Sequence, residues 1–507
     1  MQNIHGVAPI AELDGDDVWQ MWPSKGADLM GFREETVRLS IRSIRWMLLG
    51  SCLAGFIVST SSCRPVPPVS VSSTQPANQQ VVGIPTPVGE MMDNFISFQF
   101  GIYYLPKLIY DPCEKVDALL SDKFPDMQRV ESIEEQPTRM CMSVRIESDV
   151  KGNYPLPDLE SLQRFGHGLS PQQVEDLQKS DHVLILDFAH PKEHVWDGLL
   201  NALKLAHSVA QALDGLIWDD ATREVFSPHE WKLRRIDGWD AGIPEISTHT
   251  VIHAYKKNGY VRAISLGMSK FGLPDIVIDQ FSWSLQRNMG HIVNLFGQAI
   301  AEGATVTKVG EFDLDFRSIK NATVRESQMT TLKPNGTGIA QLSLRKGTWE
   351  EGDPYNPLIE ITFERGNGPD IHAKQVDIVS RAFGSEDSIA RIQHDDELEE
   401  ASRKARERLP SLRVEFNKGF APGEFLLVKA PFATPDDGHE WMWVEVNKWQ
   451  GDGITGSLQN DPFDIPDLHA GQTVEVSESE VFDFLRVHAD GTTEGNETSK
   501  VIEKQSQ

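Results

Sequence analysis

The chain has 507 residues, of which 39% are hydrophobic and 24% charged, with 39 glycines and 29 prolines. That balance excludes wholesale disorder, collagen-like repeats and a polytopic membrane protein. A formal net charge of −27 disfavours general binding to nucleic-acid backbones or anionic lipid surfaces, so no nucleic-acid partner is expected.

Near the N-terminus, Arg38, Arg42 and Arg45 precede an apolar run over 46–58, followed by small residues up to Cys63. A basic segment, a short apolar core and small residues before a break are the parts of a secretory signal. The run is shorter than the roughly 20 residues a helix needs to cross a bilayer. Cys63 stands where the acylated cysteine of a bacterial lipoprotein would stand, although Thr60 occupies the position that favours leucine. Residues 63–93, rich in Pro, Ser, Thr and Gln, read as a tether that buries no core. The expectation is therefore a signal peptide and leader over 1–62 and a cell-envelope location, lipid-anchored or periplasmic. Any contact with the membrane runs through this segment alone. A start of translation at Met30 or Met47 is a further expectation, since residues 1–45 do not look like a signal. Beyond Cys63 two cysteines remain, Cys113 and Cys141, which either pair in an oxidising compartment or stay as two buried thiols.

From residue 94 the pattern is α+β. A strand is predicted over 96–105 and a helix from Pro112. Another strand follows over 140–146, then a capping box at Ser170-Pro171-Gln172-Gln173 and a buried strand at 183–186. Val195, Leu199, Ala202, Leu203, Ala206, Val209, Ala210 and Leu213 recur at three- and four-residue steps and define a helix that Gly215 ends. Strands flank Asn258-Gly259, a strong hairpin signal, and a helix is predicted over 284–301. Residues 94–303 thus read as one α+β domain with a mostly antiparallel sheet, ferredoxin-like or related. Residues 304–392 form a β-rich connecting region, either an extension of that domain or a small separate unit. Over 393–507, a helix at 395–409 with favourable Glu399–Arg403 and Glu400–Lys404 pairs leads into five short strands, a small bent sheet or partial barrel.

Several of these last residues carry a resemblance. Ala405-Arg406 through Leu409-Pro410 and Val428-Lys429 come first. His439-Glu440-Trp441-Met442-Trp443-Val444, Ile454-Thr455-Gly456, Asn460-Asp461-Pro462 and Asp483 follow. Together they resemble the YegJ-like family of bacterial domains of unknown function (family 2314), over about 395–500. Phe484 stands where the family pattern has Trp. The resemblance implies an architecture and no established reaction.

His190-Pro191-Lys192-Glu193-His194 spells the H-x-x-E-H of inverted zinc peptidases. That chemistry needs both imidazoles on one helix face with the carboxylate as base, and Pro191 at a strand-to-helix junction opposes it. His190, Glu193 and His194 are the least poor metal candidates, and no third ligand is evident. No nucleotide or cofactor motif is present, and no cofactor is expected. Trp441 and Trp443 share one strand face, and the simpler reading makes that face core. The sharper reading is a contact surface on which His439, Glu440, Asn460 and Asp483 are polar anchors. The functional expectation is a binding module for a protein or small-molecule ligand, with enzymatic activity left open but disfavoured. The alternatives are a metal-dependent hydrolase and a cytoplasmic interaction or immunity-like protein.

Overall fold

The computed structural model describes residues 18–21, 95–104, 111–134, 136–239, 243–304, 306, 310–333, 335–384, 396–435 and 438–505. The apolar run over 46–58, Cys63 and the tether lie outside the described residues.

The chain is α+β, built on three open sheets. In the first, strand Phe95–Tyr104 is followed by helix Pro112–Lys123 and strands Cys141–Glu147 and His182–Pro191. Helix Val195–Leu213 and strand Leu216–Asp219 complete the series. Taken as first to fourth, these strands lie side by side in the order second, third, first, fourth, every pair antiparallel. That is the split β-α-β arrangement of ferredoxin-like folds. Both faces are covered, which is why Val183, Leu184, Ile185 and Leu186 are all fully buried. Leu184 and Leu186 join the large core beneath helix Val195–Leu213, while Val183 and Ile185 join a smaller one with Tyr103, Tyr154 and Leu177. The helix buries its predicted stripe in full. It is Asp214, at φ 50°, that turns the chain out of the helix. Gly215 serves close approach instead, since a Cβ there would stand 2.7 Å from the Tyr103 carbonyl oxygen.

The second sheet joins strands from both sides of residue 303. Its order is Val18–Met21, Val251–Lys257, Tyr260–Leu266, Asp275–Phe281, Leu358–Thr362, Ile339–Lys346 and Phe312–Asp315. The three described strands within residues 304–392 therefore extend and complete this sheet. The central pair, Asp275–Phe281 with Leu358–Thr362, is parallel and the rest antiparallel. Asn258 (φ 54°) and Gly259 (φ 86°) make the predicted tight turn, which needs both residues in the left-handed region. Helices Gln286–Ala301 and Ile371–Phe383 close the inner side, and Phe100 and Phe188 of the first sheet, with Leu199 of its helix Val195–Leu213, share one core with Phe271, Ile276 and Phe296.

The third sheet belongs to the C-terminal domain: Thr473–Ser477, Gly453–Leu458, His439–Gln450, Phe425–Ala433, Asp483–Val487 and Thr493–Gly495, antiparallel throughout. Helix Asp396–Lys418 carries Pro410 in its interior and runs on past the predicted end at 409. Leu409 and Leu412, on either side of that proline, both pack into a core with Leu426, Val428, Met442 and Val444. The burial of both leucines is what favours continuing the helix through a residue that lacks an N–H. The domain meets the second sheet along a polar seam. Ser284 N–H donates to Glu445 (3.2 Å), Tyr260 hydroxyl and Thr473 hydroxyl lie 3.1 Å apart, and Thr473 N–H donates to Asp370 (2.9 Å).

Candidate functional site

The structure does not bring the H-x-x-E-H residues together. His190 is buried at the end of strand His182–Pro191, where a Cβ on Gly198 would meet its ring at 2.5 Å. Burial pushes its pKa down to about 4. His194 sits in the following short turn and pairs at the surface with Asp197 (2.9 Å), while Glu193 is exposed. Among the described residues no group of three or more His, Cys, Asp or Glu is placed to hold a metal ion.

The Cys113–Cys141 bridge is not formed, because Cys141 is a free, buried thiol. The pleat explains the separation. Met142 and Val144 face the core that holds Cys113, so Cys141, one residue away, faces the other side of the sheet. Burial pushes its thiol pKa up to about 11.

The tryptophan pair also departs from its simpler reading. Met442, Val444 and Val446 point into the C-terminal core, so Trp441 and Trp443 lie on the outer face, each half-buried. Trp449 reaches the core because the strand is bulged between Val446 and Lys448. Across the outer face, Trp443 stands opposite Lys429, and Lys429 opposite Asp483. The Lys429 ammonium lies 5.6 Å from the Trp443 ring centre, and burial lowers its pKa. Trp441 packs on Phe482 with ring centres 4.4 Å apart. The polar anchors divide into distinct roles. Asp483 is fully buried and accepts from Thr498 N–H (2.9 Å) and hydroxyl (2.6 Å), which fixes the start of helix Glu497–Gln505. Glu440 accepts from the Phe463 and Asp464 amides (2.7 and 3.2 Å) and so holds the loop after strand Gly453–Leu458. Asn460 accepts from Trp443 N–H at 3.4 Å, and His439 is exposed at the strand's start. Trp441, Trp443 and Asn460 are thus gathered on one surface, and Asp483 supports it from within.

Residues 395–506 match the model of a family described as an uncharacterized protein conserved in bacteria (DUF2314). The C-terminal domain is a DUF2314 domain. No curated protein and no solved structure matches the chain.

Upstream of the DUF2314 domain lies a cluster that the sequence did not announce. Asp219 ends a strand of the first sheet, and its carboxylate accepts from Lys270 Nζ (2.5 Å) and Arg235 (3.3 Å). Arg235 also donates to Glu224 (2.6 Å), whose other oxygen lies 2.6 Å from His167 Nε2. Burial works to raise the Glu224 pKa, but Arg235 and His167 hold it down at about 2. Asp219 and Lys270 have no exposed surface, and Arg235 and Glu224 almost none. Two acids meet two cations, so the network balances its charge, as a buried charge cluster must, with burial lowering the Lys270 pKa and Asp219 opposing that shift. Its members are scattered from 167 to 270 with no spacing motif. Lys270, in the turn Met268–Phe271 between strands of the second sheet, is the link from one sheet to the other.

Proposed function

We propose that this chain is an interaction module whose DUF2314 domain presents the Trp441–Trp443 face to a protein partner. The observation that carries the reading is the outward orientation of two large aromatics beside the partly desolvated Lys429. Aromatic side chains with a neighbouring charge dominate the energetics of protein interfaces. The metal-hydrolase alternative has less support, given the burial of His190 against Gly198 and the pairing of His194 with Asp197. Export through the 38–63 segment, with Cys63 as the acyl acceptor, completes the proposal. A second reading, a cytoplasmic interaction protein, is favoured by one observation. Val18–Met21 pairs with strand Val251–Lys257, and cleavage before Cys63 would remove that edge strand.

The test has two parts. Crosslinking in cells is expected to capture one dominant protein on the wild type. Trp441→Ala/Trp443→Ala should keep the native circular dichroism and weaken capture at least about tenfold. Unchanged capture overturns the assignment of the face. Cell fractionation with and without globomycin separates the two locations: accumulation of an unprocessed membrane form supports export, and full-length soluble product supports the cytoplasmic reading.

A further inference from the structure

The loop over 347–357 joins two neighbouring strands of the second sheet, and two opposed features meet in it. Its backbone is clamped. Arg262, 1% exposed, donates through both terminal nitrogens to Asp353 (2.8 Å each) and to the Thr348 carbonyl (3.0 Å). Glu350 accepts from Tyr255 hydroxyl (3.0 Å) and Lys257 Nζ (2.5 Å), and its own N–H donates to Asp353 (2.8 Å). Asn356 donates to the Leu273 carbonyl (3.0 Å) and to Asp275 (2.7 Å). Yet the large side chains that the clamp carries turn outward. Trp349 is 50% exposed and Tyr355 84% exposed, with ring centres 6.1 Å apart and planes 25° from parallel. Large aromatics left in water on a backbone already ordered need little further ordering to bind, which is what a recognition site requires.

The surroundings decide the occupant. Lys257 and Arg262 are both engaged by acids of the sheet or loop, and Arg223 is tied to the Gly352 carbonyl (3.1 Å) and balanced by Asp220 and Asp353, whereas Glu351, two residues after Trp349, is exposed. The chain as a whole carries −27. Aromatic faces with an acid nearby attract guanidinium and ammonium groups. We propose that this loop is a docking platform for a basic segment of a partner protein, gripped by the Trp349 and Tyr355 rings with Glu351 supplying charge. The platform is separate from the DUF2314 face and does not depend on its role.

The probe is a fluorescein-labelled peptide of six Arg-Gly pairs, followed by anisotropy with the full-length chain. Trp349→Ala/Tyr355→Ala leaves the net charge untouched, so diffuse attraction between an acidic protein and a basic peptide is the same in both proteins. The double variant should bind about tenfold more weakly, and Glu351→Gln about threefold. Native circular dichroism of the double variant accompanies the comparison, and Tyr355→Ala alone, at a side chain almost wholly in solvent, provides a variant that keeps the core intact. Equal affinity of wild type and both aromatic variants overturns the proposal. So does binding of a β-1,4-glucan hexamer, tried in parallel, with none of the peptide, because the platform would then be a sugar site.

Discussion

Replacing Lys270 by alanine is expected to lower the unfolding free energy of the two-sheet body by about 3–5 kcal/mol. The ammonium group is fully buried and sits 2.5 Å from Asp219, which is itself fully buried. Among the described residues Asp219 Oδ1 has no hydrogen-bond partner, and on the other oxygen Arg235 stands back at 3.3 Å. Without Lys270 the carboxylate keeps one long contact in a site closed to water, and its charge loses most of its compensation. The loss also falls on the contact between sheets, since Asp219 belongs to the first and Lys270 to the second. Lys270→Met/Asp219→Asn removes both charges at near-constant volume and should recover most of the loss. A buried ion pair is costly to break from one side and far less costly to replace whole. Urea unfolding at pH 7, followed by tryptophan fluorescence, measures both variants. If the single variant loses less than about 1 kcal/mol, the network is hydrated and the pair is worth no more than a surface contact.

How far the sequence reveals this architecture depends on the range of the forces involved. Local features are legible. The stripe from Val195 to Leu213, the Ser170 capping box and the Asn258–Gly259 turn each need only a few neighbours, and each is found as read. The partition of strands into sheets is not local. Asp275–Phe281 pairs in parallel with Leu358–Thr362, far along the chain, and no pattern in either segment names its partner. Hence a boundary near 303 looks plausible on composition while the sheet runs across it. The Trp441–Val446 strand shows a different limit. Its two faces are both apolar, Trp and Trp on one, Met and Val on the other, so alternation gives the faces without saying which is inside. The buried network is the least legible part. Lys270, Arg235 and Arg262 are residue types that sequence reading assigns to the surface, and each is buried because a carboxylate from a distant segment meets it.

Acidification from pH 7 to pH 5 is expected to destabilise the fold by about 2 kcal/mol, through histidines that are buried neutral. Burial lowers His190 from 6.5 to about 4 and His253 from 6.5 to about 3. Among the described residues Nε2 of each ring is buried without a partner, and burial outweighs the nearby acids that favour protonation, Asp197 for His190 and Glu224 for His253. A histidine whose folded pKa lies below its unfolded value stabilises fully above pH 6.5. That contribution is lost as the pH falls from 6.5 towards the folded pKa, because the unfolded chain takes up the proton first. Each residue therefore contributes a loss of about 1.4 kcal/mol per pH unit in that window, or about 2 kcal/mol at pH 5. Two carboxyls oppose them. Burial raises Asp275 from 3.8 to about 6, so the folded state binds its proton first and gains about 1.4 kcal/mol by pH 5. Asp220, also raised to about 6 by desolvation, acts in the same direction. Three histidines outweigh the two acids, since His249, lowered well below 6.5 by burial, adds to His190 and His253. Glu224, held at about 2, adds its own loss only as the pH falls through 4.5. Unfolding free energies at pH 7, 6 and 5 should decline, with a steeper step from 6 to 5 than from 7 to 6. His253→Asn should flatten the slope below pH 6 by about 1.4 kcal/mol per pH unit, whatever it costs in absolute stability. A stability that holds level or rises from pH 7 to 5 would mean that the Asp275 and Asp220 carboxyls govern the response and that the imidazoles reach water.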